Sequence, residues 1–293
     1  MSRILFTWEL GEGLGHVTVQ RDLALGLVER GHEVLLAVRN LRSAGIAFSG
    51  TGLRFLPCPC QTWKPVSTID PLRSYAHLLH NVSFNSAENL HSLLLSWLHL
   101  YQLFDPDLIV CDHSPTALLA SRGWRGKRAT VGSGFFSPPA VEPLPAIRPG
   151  ERARQAELMA DEQKILSIVN DALQLFAGKR LPRLADIYAD VDLNILATFE
   201  ELDHFGPREG VRYWGVQASC PSMQPQWPAG TGQKIFAYLK VMPGLDRVLE
   251  RLAGLRQPAI VYGPWVDDRA VRRFGSATLR LERQPVDLGI VGE

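Results

Sequence analysis

His16 closes the stretch GEGLGH (11–16), in which Gly11, Gly13 and Gly15 alternate directly after the apolar run RILFTW (3–8). Glycines at such a place permit a tight turn and a close backbone approach to a ligand. The helical pattern that follows, HVTVQRDLALGLVERG (16–31), would offer unpaired N–H groups and a positive dipole end to an anion. The spacing is not that of a dinucleotide loop, which is G-x-G-x-x-G with a carboxylate ending the second strand. Here the second strand ends in Arg39 and Asn40. No G-K-[ST] follows, so a P-loop is excluded. The chemistry therefore centres on His16. A lone histidine is ordinarily structural, but this one falls at the carboxyl end of the first strand pattern, where open α/β sheets place their ligands. Asp112 ends a fourth strand pattern, DLIVCD (107–112). In the common doubly wound order the first and fourth strands are neighbours across the topological switch point, so the two side chains are expected to face each other over one crevice. A histidine oriented by a buried carboxylate is a general base with a fixed tautomer. With no serine or cysteine nucleophile evident, that base is expected to act on a substrate hydroxyl.

The remaining chemistry-bearing residues read more plainly. DPD (105–107) and DVD (190–192) match a metal-binding D-x-D, but each precedes its apolar strand and so sits at the amino edge, as a solvated loop. His77, His80, His91 and His99 lie on helical patterns without a carboxylate at ligand spacing, which favours packing and surface roles, and no metal site is expected. Cys58 and Cys60 form C-P-C, too tight for a C-x-x-C site, and Cys111 reads as a small core residue. His113 adjoins Asp112 and either lines the crevice or caps the surface. His204 reads as loop structure. Phe135 and Phe136 begin FFSPPAVEPLP (135–145), a loop at the carboxyl edge that either contacts an apolar acceptor or packs on its own domain.

These residues are positioned by an alternation of short β-rich runs and longer helical patterns. Strands are predicted at 3–8, 33–38, 53–58, 107–112, 128–134 and 193–199. Helices are predicted at 16–31, 42–49, from Asp70-Pro71 onward as N-cap and first helical position, at 86–104, after the cap Ser114-Pro115, and over 151–178. The order implies an α/β fold with a Rossmann-like, doubly wound parallel sheet covered on both faces. A Pro-, Gly- and Ser-rich stretch at 215–233 reads as a linker, after which the alternation restarts at 234–240, 243–256, 259–263, 266–274 and 277–282. The expected organisation is an N-terminal domain over 1–214, a linker over 215–233, and the start of a second Rossmann-like domain over 234–293.

A formal net charge of +1 offers no bulk attraction to nucleic acid or anionic lipid. No apolar run reaches the ~18 residues of a membrane span. The N-terminus enters a strand pattern without the marks of a signal peptide, and four cysteines without a disulfide framework suit a reducing cytosol. A cytoplasmic protein is expected.

RILFTWELGEGLGHV, DPDLIVCDHSPTALLAS, ILATFEELDHFGPREGVRYWG and KIFAYLK…LAGLRQPAIVYGP together resemble, in order, the GT-B glycosyltransferases of the UDP-glycosyltransferase and macrolide-glycosyltransferase group. The resemblance covers essentially the whole chain. It implies a GT-B-type fold and transfer of a sugar from a nucleoside-diphosphate donor, UDP- or dTDP-linked, to an acceptor hydroxyl with inversion. The donor is a co-substrate, and no further cofactor or metal is implied. The residue matching His16 deprotonates the acceptor, and the one matching Asp112 stabilises the imidazolium. Gly13 and Gly15, with Gly11, are expected on the donor-phosphate side. Phe135, Phe136 and Trp63 are expected to meet a small-molecule, lipid or glycan acceptor. The His-Gly-Gly-type donor loop of that group has no counterpart after residue 234, so the donor half is expected to be truncated or supplied by a partner chain. One alternative is a non-catalytic acceptor-binding or docking subunit of a split transferase. Another, an NADP-dependent oxidoreductase, rests on Arg39 alone.

Overall fold

The computed structural model describes residues 1–148, 155–176, 178–215 and 223–286. The chain divides into two compact units between Ala218 and Ser219. In the first unit the elements follow as β1 (Arg3–Trp8), α1 (Gly15–Glu29), β2 (Glu33–Val38), α2 (Leu41–Ala47), β3 (Arg54–Pro57), α3 (Tyr75–Val82), α4 (Ala87–Phe104), β4 (Leu108–Asp112), α5 (Pro115–Ala120), β5 (Lys127–Gly132), α6 (Gln155–Leu175), α7 (Asp186–Ala189) and β6 (Leu193–Leu196). The six strands form one parallel sheet in the order β3-β2-β1-β4-β5-β6. The strand order therefore reverses between β1 and β4, the two strands whose ends carry the candidate chemistry.

Side-chain alternation explains why β1 reads as continuously apolar. Leu5 points into a core built with α3, α4 and α6, including Leu79, Leu94, Trp97 and Val169. Ile4, Phe6 and Trp8 point to the other face, against Val17 and Ala24 of α1 and Ala44 of α2. A strand buried on both faces cannot alternate apolar with polar. The same parity decides the side of Asp112. Ile109 and Cys111 join the first core, Val110 joins the second, and Asp112 shares the parity of Val110. It therefore faces α1, and its register partner on β1 is Trp8.

Helix starts depart from expectation at two places. The helix expected from Pro71 begins instead at Tyr75, where Ser74 accepts from the His77 N–H. Residues 73–75 are held extended by pairing with residues 145–147: Ile147 N donates to Arg73 O at 2.9 Å and Tyr75 N to Pro145 O at 2.9 Å. Ser114 does not cap α5 through its side chain; its hydroxyl donates to Asp112 O at 3.0 Å, and the Thr116 N–H is met by Glu9 Oε2 at 3.0 Å. The long helix expected over 151–178 is described as α6, with residues 151–154 and 177 outside the described residues. Gly31 ends the turn after α1 with φ 80°, a conformation that glycine adopts without cost.

The second unit holds β7 (Ile235–Tyr238), α8 (Leu245–Gly254), β8 (Ala259–Tyr262), α9 (Asp268–Phe274) and β9 (Leu279–Glu282), with a parallel sheet ordered β7-β8-β9. Ala259 and Val261 pack with Leu249 of α8 and Phe274 of α9. Tyr238 and Tyr262 stack at 5.2 Å on the opposite face. Of the stretch read as a linker, residues 216–222, Cys220 among them, lie outside the described residues, and Met223 already pairs with Val286. Among the described residues no helix is long and apolar enough to cross a membrane.

Candidate active site

His16, at the second position of α1, and Asp112, at the end of β4, are both buried, and His16 Nδ1 lies 3.0 Å from Asp112 Oδ2. An ionised carboxylate only accepts, so opposite one Nδ1 would be the donor and Nε2 the acceptor nitrogen. Gln20, one turn along α1, donates Nε2 to the same Oδ2 at 3.2 Å. Trp8 stacks on the His16 ring with centroids 5.2 Å apart and is itself tied by Nε1 to Leu10 O at 2.7 Å. The imidazole is thus held from below by the carboxylate and from one side by a fixed indole.

The glycine loop covers the other edge. A Cβ at Gly11, whose φ is 88°, would stand 2.4 Å from His16 Nε2, so a bare backbone at this position lets the loop lie over that nitrogen. Gly13 (φ 93°) and Gly15 face open space, since a Cβ at either would meet nothing within 4 Å. They stand at the N-terminus of α1, which has no side-chain cap, unlike α2, α3 and α4. Phe136 packs on His16 at 4.5 Å and on His113 at 4.7 Å. Phe135 packs instead with Tyr75, His204 and Phe205. Phe135 also touches His113 at 6.1 Å and Phe136 at 5.7 Å, so the loop packs on its own domain and against the residues beside His16. The loop is clamped by Arg208, which donates to Ser137 O at 2.6 Å and Gly134 O at 2.9 Å while paired with the buried Asp203.

Neither a family model nor a curated protein matches the sequence. Solved structures do match. SsfS6, a glycosyltransferase of Streptomyces sp. SF2575, is 17% identical with a TM-score of 0.58 over 99% of this chain and 73% of that one. CalG4, the calicheamicin glycosyltransferase, is 17% identical with a TM-score of 0.61 over 96% and 70%. SnogD, the glycosyltransferase from Streptomyces nogalater, is 17% identical with a TM-score of 0.55 over 96% and 71%. SsfS6 also matches as its complex with thymidine diphosphate, at 18% identity and a TM-score of 0.52 over 97% and 72%. The fold is that of the GT-B glycosyltransferases. These identities show likeness of fold, and this chain spans about 70% to 73% of the length of those structures.

Within this GT-B fold the other candidates find their places. Trp63 is 39% exposed, and among the described residues no ring contact joins it to His16, Phe135 or Phe136. The D-x-D aspartates are engaged at the amino edge: Asp105 with Arg3 and Arg125, Asp107 with the Arg3 N–H, Asp190 with Arg122 and Arg128, and Asp192 with Lys127. Among the described residues no group of His, Cys, Asp and Glu could hold a metal ion. Arg39 donates Nη1 to the Glu9 carbonyl at 2.9 Å and so braces the end of β1. His204 donates to Ile147 O at 2.6 Å, a loop tie as read.

Three residues were not legible as site residues in the sequence. Gln20 had a signal, its i+4 spacing from His16 on a helical pattern. Trp8 reads only as strand. Glu9 is fully buried against the N-terminus of α5, and burial pushes its carboxyl up to about 8 against the Thr116 hydrogen bonds. Nothing in the local sequence announces a buried acid there.

Proposed function

We propose that the protein is an inverting glycosyltransferase whose first unit carries the acceptor site and the catalytic base. The observation that supports it most is the His16–Asp112 contact of 3.0 Å at the β1/β4 switch point of a GT-B fold. His16 Nε2 takes the proton of an acceptor hydroxyl. The freed oxygen pair forms a bond to the anomeric carbon of the sugar while the bond from that carbon to the diphosphate oxygen breaks on the opposite face. The products are an inverted glycoside and a nucleoside diphosphate. Asp112 stabilises the imidazolium, and Gln20 holds the carboxylate in place. Gly13 and Gly15, with the uncapped end of α1, leave room and N–H groups for donor phosphates. The complex of SsfS6 with thymidine diphosphate supports a nucleoside-diphosphate donor.

The test is release of nucleoside diphosphate from UDP- and dTDP-sugars in the presence of phenolic acceptors. His16→Ala is expected to slow release by about 10²–10⁴. A variant that turns over like the parent removes the base assignment.

A second reading, a non-catalytic acceptor-binding or docking subunit, is favoured by one feature of the second unit. Tyr238, Val241 and Met242 are 52%, 77% and 45% exposed there, and neighbouring exposed apolar residues mark interaction surfaces. Acceptor binding without nucleotide release in any donor mixture is the outcome that selects it.

A further inference from the structure

His113 follows Asp112 directly and lies in the left-handed region, with φ 44°. The Leu10 N–H holds this conformation by donating to His113 O at 3.0 Å. The imidazole is buried, and neither ring nitrogen makes a well-formed hydrogen bond among the described residues, with the Leu10 backbone as its polar neighbour. Buried polar side chains are hydrogen-bonded as a rule. A left-handed φ favours histidine over phenylalanine here, but it gives the buried ring nitrogens no well-formed hydrogen bond. The His113 ring stacks with His16, centroids 6.0 Å apart and planes at 23°, and Phe136 closes over both. Two imidazoles therefore lie beside each other, both packed against Phe136.

We propose that His113 is a second acceptor anchor, hydrogen-bonding an oxygen next to the hydroxyl that His16 deprotonates, so that the site selects acceptors with two neighbouring oxygens, a vicinal diol or an ortho-dihydroxy aromatic. The proposal rests on the transferase reading of His16. A reach of about 3 Å from each ring spans their separation with oxygens on adjacent carbons. The acceptor would take the place where Phe136, only partly buried, now lies against both rings. Burial, followed by the neighbouring His16, depresses the His113 ring to about 3, with the Leu10 backbone opposing weakly. It stays neutral, offers one donor and one acceptor nitrogen, and does not compete for the proton His16 takes.

The experiment is titration of the full chain with 2,3-dihydroxynaphthalene and with 2-naphthol, followed by tryptophan fluorescence and by calorimetry. The diol is expected to bind about ten-fold more tightly, the equivalent of one added hydrogen bond. His113→Phe should bring the ratio of the two affinities close to one, and His113→Asn and His113→Gln should retain part of it. Similar affinities in the parent, failure of both ligands to bind, or an unchanged ratio in His113→Phe overturns the proposal. If His113→Phe does not fold, His113→Ala decides: partial retention of the ratio in His113→Asn or His113→Gln together with its loss in His113→Ala supports the anchor, and an unchanged ratio in His113→Ala overturns it. Nucleotide release separates this idea from the reading beneath it. Diol preference through His113 without nucleotide release keeps the anchor and favours the acceptor-binding subunit reading over turnover by this chain alone. Turnover that ignores the second hydroxyl removes only the anchor.

Discussion

Gln20 stands one helical turn beyond His16, and the two side chains reach the same oxygen of Asp112, at 3.2 and 3.0 Å. A helix delivers both because residues four apart share a face. Asp112 Oδ2 is thus held by two donors from α1, while Oδ1 has no partner among the described residues. The helix that carries His16 therefore also supplies the second donor that fixes the carboxylate.

Replacing Asp112 by Asn keeps the shape and removes the charge. The amide can donate to Nδ1 and leave the proton on Nε2, the wrong tautomer for a base. Turnover is expected to fall by about 10²–10⁴, as with other orienting carboxylates, with folding retained. Nucleotide release under saturating acceptor measures it, and turnover within two-fold of the parent would remove Asp112 from the mechanism.

Gln20→Leu should cost less, about ten-fold in kcat with KM little changed, because the carboxylate loses one donor and keeps the other. A loss confined to KM would place Gln20 with binding rather than with the base.

Gly11 and Gly13 have nearly the same φ, 88° and 93°, yet their surroundings differ. Alanine at either position carries a backbone cost of about 1–2 kcal/mol. At Gly11 the new methyl also meets His16 Nε2, whereas at Gly13 it meets open space. Gly11→Ala should therefore lose more stability in urea melts than Gly13→Ala, and far more turnover. Equal turnover in the two would show that the loop leaves the basic nitrogen on every cycle.

Glu9 makes a pH prediction. Its folded value of about 8 lies above the ordinary 4.5. The native state thus keeps a proton that the unfolded chain gives up. Its contribution is complete below the unfolded value and is lost as pH rises through the folded one. Glu9→Gln preserves the neutral form at every pH. The urea midpoint of the variant is expected to match the parent at about pH 5 and to exceed it at about pH 8.5. A difference that shrinks with rising pH would mean that Glu9 is ionised in the fold.

Much of the frame is legible in the sequence. Six apolar runs alternating with helical patterns already imply a doubly wound sheet, because strands buried on both faces lose their polar alternation. Placing His16 and Asp112 at carboxyl ends of the first and fourth strands then follows from the switch-point rule. The helix starts were less legible. Asp70-Pro71 and Ser114-Pro115 carry local capping signals, yet Ser74 caps one helix and Glu9 meets the other. Local propensity is worth about 1 kcal/mol per cap, and long-range pairing to residues 145–147 outweighs it.

The sequence by itself determined the alternation of strands and helices, and it singled out His16 and Asp112 as candidates at the carboxyl ends of the first and fourth strands. These depend on periodicity and residue type, which are local. Only the tertiary structure decided that Gln20 shares the carboxylate, that Gly11 lies over His16 Nε2, that Phe136 rather than Trp63 touches His16, and that His113 is buried beside it with neither nitrogen in a well-formed hydrogen bond. Those relations join residues from separate segments through packing, and no spacing in the chain encodes a distance between them.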